Sequence, residues 1–139
     1  MVANPTSPST REALRRGLAP VTPPGSPLKD LYFDYDSYDL RSDAREILKA
    51  NANWLESNPS ARIEIEGHCD ERGTNEFNLA LGAKRAQIAR DYLVNLGIPA
   101  DLPIISYGEE APVCMDHTKE CWQKNRRVRF VIITILPIS

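Results

Sequence analysis

Apolar and polar residues alternate from residue 28 onward with two different periods. A period of two residues, which is typical of half-buried strands, runs through residues 31–36, 62–68, 104–107 and 127–135. Spacings of three and four residues, which are typical of amphipathic helices, run through residues 44–55 and 79–96. The pattern therefore predicts the element order β-α-β-α-β-β.

Short polar signals mark where these elements begin and end. Ser42 is predicted to cap the first helix, and Asn58-Pro59 is predicted to end it. Thr74 is predicted to cap the second helix, after a turn in which Gly73 adopts a left-handed conformation. Residues 109–125 are predicted to form a long loop before the last strand.

The order of the elements predicts the architecture. A strand-helix-strand unit favours a parallel pair joined by a right-handed crossover, whereas the last two strands have no helix between them and favour an antiparallel pair. Two amphipathic helices can then cover one face of a small sheet. We predict an α/β sandwich, with two helices on one face of a four-stranded mixed sheet.

The first 27 residues differ in composition from the rest of the chain. They hold six of the eleven prolines, together with several Ser and Thr residues. Proline lacks an amide donor and fixes φ, so this stretch favours an extended, semi-rigid tether, with one transient helical turn at 11–18. We predict a flexible linker over residues 1–27, removable without loss of stability, and one domain over residues 28–139.

Composition and charge exclude several classes of protein. The chain has 139 residues, with 17 basic and 19 acidic side chains and a formal net charge of -2. This balance argues against a non-specific nucleic-acid binder, which usually has a strongly basic face. No apolar run approaches the roughly 20 residues of a membrane-spanning helix, and no signal peptide is evident. We therefore expect either a cytoplasmic protein or a soluble piece of an exported one.

The end of the second strand and the following helix carry the most informative charges. Asp70 lies in the turn where the strand ends, and Arg85 lies about three turns into the helix, at the edge of its apolar stripe. A carboxylate and a guanidinium beside one groove suit a zwitterionic ligand, whose ammonium and carboxylate they would bind. A plain salt bridge between Asp70 and Arg85 is the structural alternative.

Six groups of residues occur in a characteristic order and spacing. They are YFDYDSYD at 32–39, GHCDERGT at 67–74, FN at 77–78, LG with RA at 81–86, ISYGEE at 105–110 and NRR at 125–127. In both respects the chain resembles the OmpA-like peptidoglycan-binding domains, and within them the peptidoglycan-associated lipoproteins (Pal). The resemblance extends over about residues 28–135.

The resemblance implies non-covalent binding of the peptidoglycan stem peptide through meso-diaminopimelate, with no catalysis, no cofactor and no metal. Asp70 would bind the ammonium of the diaminopimelate side-chain centre, and Arg85 its carboxylate. The other residues that the resemblance places at the ligand are Tyr35 and Asp36 from the first strand's end, Thr74, Asn78 and Leu81 from the helix, and Phe77 packed below the groove.

The resemblance also implies a place in the cell. The full-length protein would carry a lipidated N-terminal cysteine that is absent from this chain, and it would lie at the periplasmic face of the outer membrane. Its partners would be peptidoglycan and the β-propeller protein of the Tol system, and no nucleic acid. The alternative is the OmpA-like domain of a porin or a flagellar-stator protein with the same ligand.

The three cysteines leave further alternatives. Cys114 and Cys121 are predicted to form a disulfide, which suits an oxidising compartment, while a metal site including His117 is the alternative. Cys69 is expected to be half-buried, although a thiol hydrolase using it is a rival function. Trp122 could pack over the disulfide. The basic residues Lys124, Arg126, Arg127 and Arg129 could form an anion patch or have a structural role.

Overall fold

The computed structural model describes residues 5–136, which contain four helices and four strands. In chain order they are α1 (Thr10–Arg15), β1 (Leu31–Tyr32), α2 (Ser42–Ser57), β2 (Ala61–His68), α3 (Asn75–Asn95), β3 (Ile104–Gly108), α4 (Lys119–Asn125) and β4 (Arg127–Ile135). The predicted strands and the two long helices are therefore confirmed, although β1 is shorter than the predicted 31–36. The short helix α1 lies where a transient helical turn was predicted, and α4 is an additional short helix.

The four strands form one mixed sheet in the order β1-β4-β2-β3. β2 is parallel to β3, with Ile65 opposite Ile104, and β4 is antiparallel to both β2 and β1. The predicted mixed sheet is confirmed, but two predicted pairings are wrong: β1 does not pair with β2, and β4 does not pair with β3. The nine residues of β4 offer both edges for pairing, so this strand separates β1 from β2.

The helices α2 and α3 cover one face of the sheet and bury the apolar core. Phe33, Leu48, Ile65, Leu93 and Phe130 are fully or almost fully buried there. α3 lies directly on β2, because a Cβ on Gly67 would stand 1.7 Å from the backbone oxygen of Gly82. Two glycines facing each other thus allow the closest approach between helix and strand.

The ends of the elements follow most of the predicted signals. The Thr74 hydroxyl accepts a hydrogen bond from the N–H of Phe77, and Gly73 has φ 99°, as predicted. Ser42 is the first helical residue rather than the cap, which is Arg41, so that prediction is wrong. The chain there turns one residue earlier, and the Asp43 carboxylate accepts the first-turn N–H of Ala44 instead.

The predicted loop at 109–125 contains the short helix α4. Its Thr118 side chain accepts a hydrogen bond from the N–H of Cys121, which gives the helix an N-cap. The predicted disulfide between Cys114 and Cys121 is confirmed, with their Cα atoms 5.3 Å apart. Spacing suggested only a loop because seven residues are too few for a clear helical period.

The described part of the first 27 residues differs from the predicted tether, because it lies against the face of the sheet that α2 and α3 leave free. Thr10 and Ala13 of α1 are buried, and the N–H of Ser7 donates to the oxygen of Ile132 at 3.1 Å. Arg127 donates to the carbonyl of Pro20. The many prolines favour an extended path, and that path follows the sheet.

Charged side chains fill the space between the sheet and this segment. Thr10, Glu66, His68 and Arg129, called here the sheet-face cluster, are each at most 2% exposed. Both the N–H and the hydroxyl of Thr10 donate to the Glu66 carboxylate, and Arg129 Nη1 lies 3.6 Å from it. Glu66, His68 and Arg129 alternate with the core residues of β2 and β4, so they lie on the opposite face of the sheet, where Thr10 of α1 meets them.

Candidate functional site

A small groove lies where β2 ends and α3 begins. It encloses about 40 Å³ and is lined by Tyr35, Asp36, Asp70, Arg72, Gly73, Phe77, Asn78, Leu81, Arg85 and Arg126. The close contact between β2 and α3 at their glycines fixes the helix beside the strand end. The groove therefore combines side chains from the end of β2, from α3, from the turn after β1 and from the end of α4.

Asp70 is the carboxylate at the bottom of the groove, and it is only 3% exposed. It does not pair with Arg85, so the plain salt bridge considered from the sequence is wrong. Instead, Arg72 binds it with two guanidinium nitrogens at 2.8 and 3.2 Å, and Arg126 binds it at 3.1 Å. Burial raises the pKa of Asp70, but these hydrogen bonds outweigh burial and hold the pKa below its usual value.

Arg85 is a buried cation that contacts backbone carbonyls. Its guanidinium donates to the carbonyls of Asp34, Ser37 and His68 at 2.8–3.1 Å, and weakly to the Cys69 sulfur. Within residues 5–136 no carboxylate lies within 4 Å of its nitrogens. Burial lowers the pKa of Arg85, the sign that its charge is costly in this environment. The side chain is nevertheless a wall of the groove.

An aromatic and cationic stack forms the rim. The guanidinium of Arg72 lies 3.8 Å from the ring centre of Tyr35 and 4.3 Å from that of Trp122. Trp122 Nε1 donates to Glu71 at 3.0 Å, and the same carboxylate contacts His117. This hydrogen bond and the cation beside it hold the ring of Trp122 against Arg72, which lines the groove.

The structure brings together seven of the eight residues predicted at the ligand, all except Thr74, which caps α3. Phe77 is 52% exposed at the rim rather than packed below the groove, because the first turn of α3 faces solvent. Sequence reasoning missed Arg72 and Arg126 as groove residues. For Arg72, the position two residues after Asp70 was an available signal, since aspartate often binds the N–H two residues on.

The basic residues near the C-terminus divide between the alternatives left open. Arg127 and Arg129 have structural roles, since they are buried and pair with Asp30 and Glu66. Arg126 belongs to the groove. The alternation of side chains along β4 points Arg127 and Arg129 to the face covered by the N-terminal segment.

A larger cavity of about 190 Å³ lies at the opposite end of the sheet, between the end of α2 and the loop after α3. It is lined mainly by apolar groups such as Leu55, Ile98 and Leu102. None of the predicted ligand residues contacts it. The charges gather at the small groove, so we take that groove as the candidate site.

The remaining alternatives meet physical obstacles. Cys69 is 3% exposed, not half-buried, and burial raises the pKa of its thiol to about 11. A protonated thiol is a poor nucleophile, and the ring of His68 contacts Glu66 instead, which contradicts the thiol-hydrolase alternative. Within residues 5–136 no group of three or more His, Cys, Asp or Glu side chains could hold a metal ion. None of the helices described there is both long and apolar enough to cross a bilayer.

Chemically, the groove suits a small zwitterion. Its walls carry three guanidinium groups, from Arg72, Arg85 and Arg126, against the carboxylates of Asp36 and Asp70. The surplus positive charge favours an anionic group, while the Asp70 carboxylate is the negative charge that would attract an ammonium. Opposite charges beside one opening are a geometry for binding a charged ligand.

Comparison with known proteins agrees with the fold. The chain is 48% identical to the peptidoglycan-associated lipoprotein of Agrobacterium fabrum over 103 residues, which cover 73% of this chain and 58% of that protein. Against the protein of the same name from Pseudomonas aeruginosa it is 47% identical over 98 residues, covering 70% and 58%. The chain thus spans less than two thirds of the length of these relatives.

Solved structures show the same fold. The peptidoglycan-associated lipoprotein of Burkholderia pseudomallei has a TM-score of 0.73 and 43% identity, over 78% of this chain and 94% of that one. The C-terminal domain of MotB from Helicobacter pylori has a TM-score of 0.68 at 24% identity, over 73% and 81%, which shows the fold alone. The OmpA family model matches residues 32–126, well over half of the chain. The chain belongs to the OmpA family.

Proposed function

We propose that the groove binds meso-diaminopimelate in the stem peptide of peptidoglycan, without catalysis. The observation that carries this proposal is Arg85, a buried guanidinium without a carboxylate partner within residues 5–136. A buried cation without a counterion is costly, and a ligand carboxylate would supply one. Asp70 lies in the same groove and would accept the ammonium of the same centre.

The relatives support the class of ligand. The proteins that the chain resembles at 47–48% identity are named peptidoglycan-associated lipoproteins. In the full-length protein, a lipid anchor preceding this chain would hold the domain at the periplasmic face of the outer membrane. Binding of the cell wall would then tether that membrane, with the Tol system's β-propeller protein as a further partner.

The binding geometry follows from the donors and acceptors available. A guanidinium has five N–H donors, and Arg85 uses four of them, which leaves one on Nη2 for a carboxylate oxygen. Phe77 and Leu81 offer apolar surface to the methylene chain between the two ends of diaminopimelate. A lysine-containing stem has the same chain and ammonium but lacks the second carboxylate, so it should bind more weakly.

The test is calorimetric titration with two muropeptides that differ only in diaminopimelate or lysine at the third position. Asp70→Asn keeps the shape of the side chain but removes its charge. Since the opposing ligand charge is then unpaired in a buried site, we expect a loss of about 2–5 kcal/mol in binding free energy. Asp91→Asn on the exposed side of α3 is the matched control and should bind like the parent.

Arg85 needs a different design, because it also supports three backbone carbonyls. Arg85→Ala should abolish binding, but a general loosening of the groove would do the same. Arg85→Lys keeps the charge but loses the guanidinium whose remaining Nη2–H would meet the ligand carboxylate, so it should reduce the preference for the diaminopimelate stem over the lysine stem. Unchanged binding by folded Asp70→Asn protein, with an unchanged preference in Arg85→Lys, would refute the assigned site.

A further inference from the structure

Asp70 has no acceptor position left for a ligand. A carboxylate offers about four lone-pair sites on its two oxygens. Oδ1 accepts from the backbone N–H of Arg72 at 2.9 Å and from its Nε at 3.2 Å. Oδ2 accepts from Nη2 of Arg72 at 2.8 Å and from Nη1 of Arg126 at 3.1 Å. A ligand ammonium can reach this carboxylate only when one of these donors leaves.

The side chain of Arg72 is the donor best able to leave. It is 32% exposed, whereas the Arg126 side chain is 11% exposed. Arg126 is also held by hydrogen bonds to the Phe33 carbonyl at 2.8 Å and to Gln123 at 2.9 Å. Apart from Asp70, the Arg72 guanidinium has no hydrogen-bond or ion-pair partner among the residues that the structure describes, and it lies on the rings of Tyr35 and Trp122.

We propose that the Arg72 guanidinium is a built-in competitor, which occupies Asp70 in the free protein and is displaced by the ammonium of the ligand. This inference rests on the proposed function and adds a regulatory contact to it. The ammonium exchanges one charge-assisted pair for another, so displacement of Arg72 offsets part of the affinity that the contact with Asp70 supplies. The carboxylate that meets Arg85 then supplies most of the preference, and simple amines bind poorly.

The stack on the rim holds the competitor in place. Tyr35 and Trp122 lie on the Arg72 guanidinium, and the indole of Trp122 is fixed by its hydrogen bond to Glu71. Trp122 belongs to α4, whose residue Cys121 forms the disulfide. Removing the indole should therefore loosen Arg72 without touching Asp70. This gives a second, independent way to test the competition.

The experiment is titration of the folded parent, Arg72→Met, Arg72→Lys and Trp122→Leu with the diaminopimelate and lysine muropeptides. A competitor lowers the affinity for every ligand of Asp70 by the same factor. Arg72→Met should therefore tighten binding of both stems at least fivefold and by the same factor. Arg72→Lys keeps a cation and should gain less, as should Trp122→Leu. Arg90→Met is the matched control, since Arg90 is an equally exposed, ion-paired arginine on α3.

The outcomes separate this inference from the proposed function. If the parent binds the diaminopimelate stem and Arg72→Met binds it more weakly or equally, Arg72 is not a competitor and the proposed function stands. If neither protein binds either stem, both proposals fall. In the parent, the Nε–H resonance of Arg72 should shift as ligand is added, since its hydrogen bond to Asp70 is lost. A resonance that stays in place during saturation would also overturn the competition.

Discussion

Two groups of buried charges lie along β2, and they are balanced in different ways. In the sheet-face cluster, the Glu66 carboxylate lies beside the guanidinium of Arg129 and accepts from Thr10. In the groove, Asp70 binds two guanidinium groups, while Arg85 donates mainly to backbone carbonyls and has no carboxylate partner within residues 5–136. The first group is internally paired and covered by the N-terminal segment. The second has surplus positive charge and opens to solvent.

The difference separates a structural role from a binding role. A buried charge whose partners are all internal stabilises one arrangement of the chain. A buried charge without a counterion beside an opening favours a ligand that brings the opposite charge. Burial alone does not distinguish these two cases, because Glu66 and Asp70 are both almost inaccessible. Whether a buried charge has an internal counterion and whether it lies beside an opening to solvent must be considered together.

The largest expected effect comes from Glu66→Ala. Removal of this carboxylate leaves the buried Arg129 without its carboxylate partner, and Thr10 and His68 without their acceptor, which should lower the free energy of unfolding by about 3–5 kcal/mol. Urea denaturation measures this loss. Glu66→Gln keeps an acceptor for Thr10 and should lose less. The folded fraction should still bind the diaminopimelate muropeptide, because the groove lies beyond the strand end.

Asp70→Asn provides the opposite result for comparison. It should lose ligand binding while its unfolding free energy changes by less than that of Glu66→Ala. If Glu66→Ala removed binding in folded protein, or Asp70→Asn were the more destabilising of the two, the division between structural and binding charges would be wrong.

A smaller effect is expected on removal of residues 1–27. The contacts of Thr10 with Glu66 and of Pro20 with Arg127 would be lost, each hydrogen bond being worth about 1 kcal/mol net. The uncovered face is polar and can hydrate, so we expect the domain to remain folded with a loss of about 1–2 kcal/mol. Calorimetry of the trimmed and intact proteins measures the melting temperature. An unchanged melting temperature would support the flexible tether predicted from the sequence.

The smallest effect concerns acid pH. Burial lowers the pKa of His68 from 6.5, despite the opposing bond to Glu66. Burial raises the pKa of Glu66, but its hydrogen bonds to His68 and Thr10 bring it below 4.5. Both groups therefore bind protons more readily in the unfolded chain, so stability should fall below about pH 6.5 and again below about pH 4.5.

Thermal melts at several pH values measure this decline. His68→Gln should reduce the decline in stability between pH 7 and pH 5. His117 makes the control, because its pKa is raised by the exposed contact with Glu71 and its contribution has the opposite sign. His117→Asn should therefore leave the decline in place. If the parent and the His117→Asn variant were each as stable at pH 5 as at pH 7, the prediction for His68 would be contradicted.

Local signals predicted the local structure well. Gly73, the Thr74 cap and the end of α2 were predictable because each depends on a few neighbouring residues. The position of β4 between β1 and β2 was not, since strand order depends on contacts distant in sequence. The N-terminal segment shows no period that reveals what it covers. A long-range signal existed in Glu66 and Arg129, charges on the same face of two neighbouring strands.

In the candidate site, too, local features were predictable and contacts distant in sequence were not. Asp70 and Arg85 could be selected from their positions, and the disulfide from its spacing. The pairing of Arg126 with Asp70 could not be predicted, because the end of α4 brings the two together from 56 residues apart in sequence. The pairing of Arg72 had a local signal, since it lies two residues after Asp70.

The contact of Gly67 with Gly82 has a consequence for how such a groove can diverge or be engineered. A methyl group at either position would press on the neighbouring backbone or on Ser106, and would lift α3 away from β2. Arg85 follows Gly82 by less than one turn, so it would move away from Asp70 at the same time. The contact between the two glycines therefore fixes the distance between Asp70 and Arg85. New ligand preferences would have to arise from rim residues such as Arg72 and Trp122, because these can change without moving α3 relative to β2.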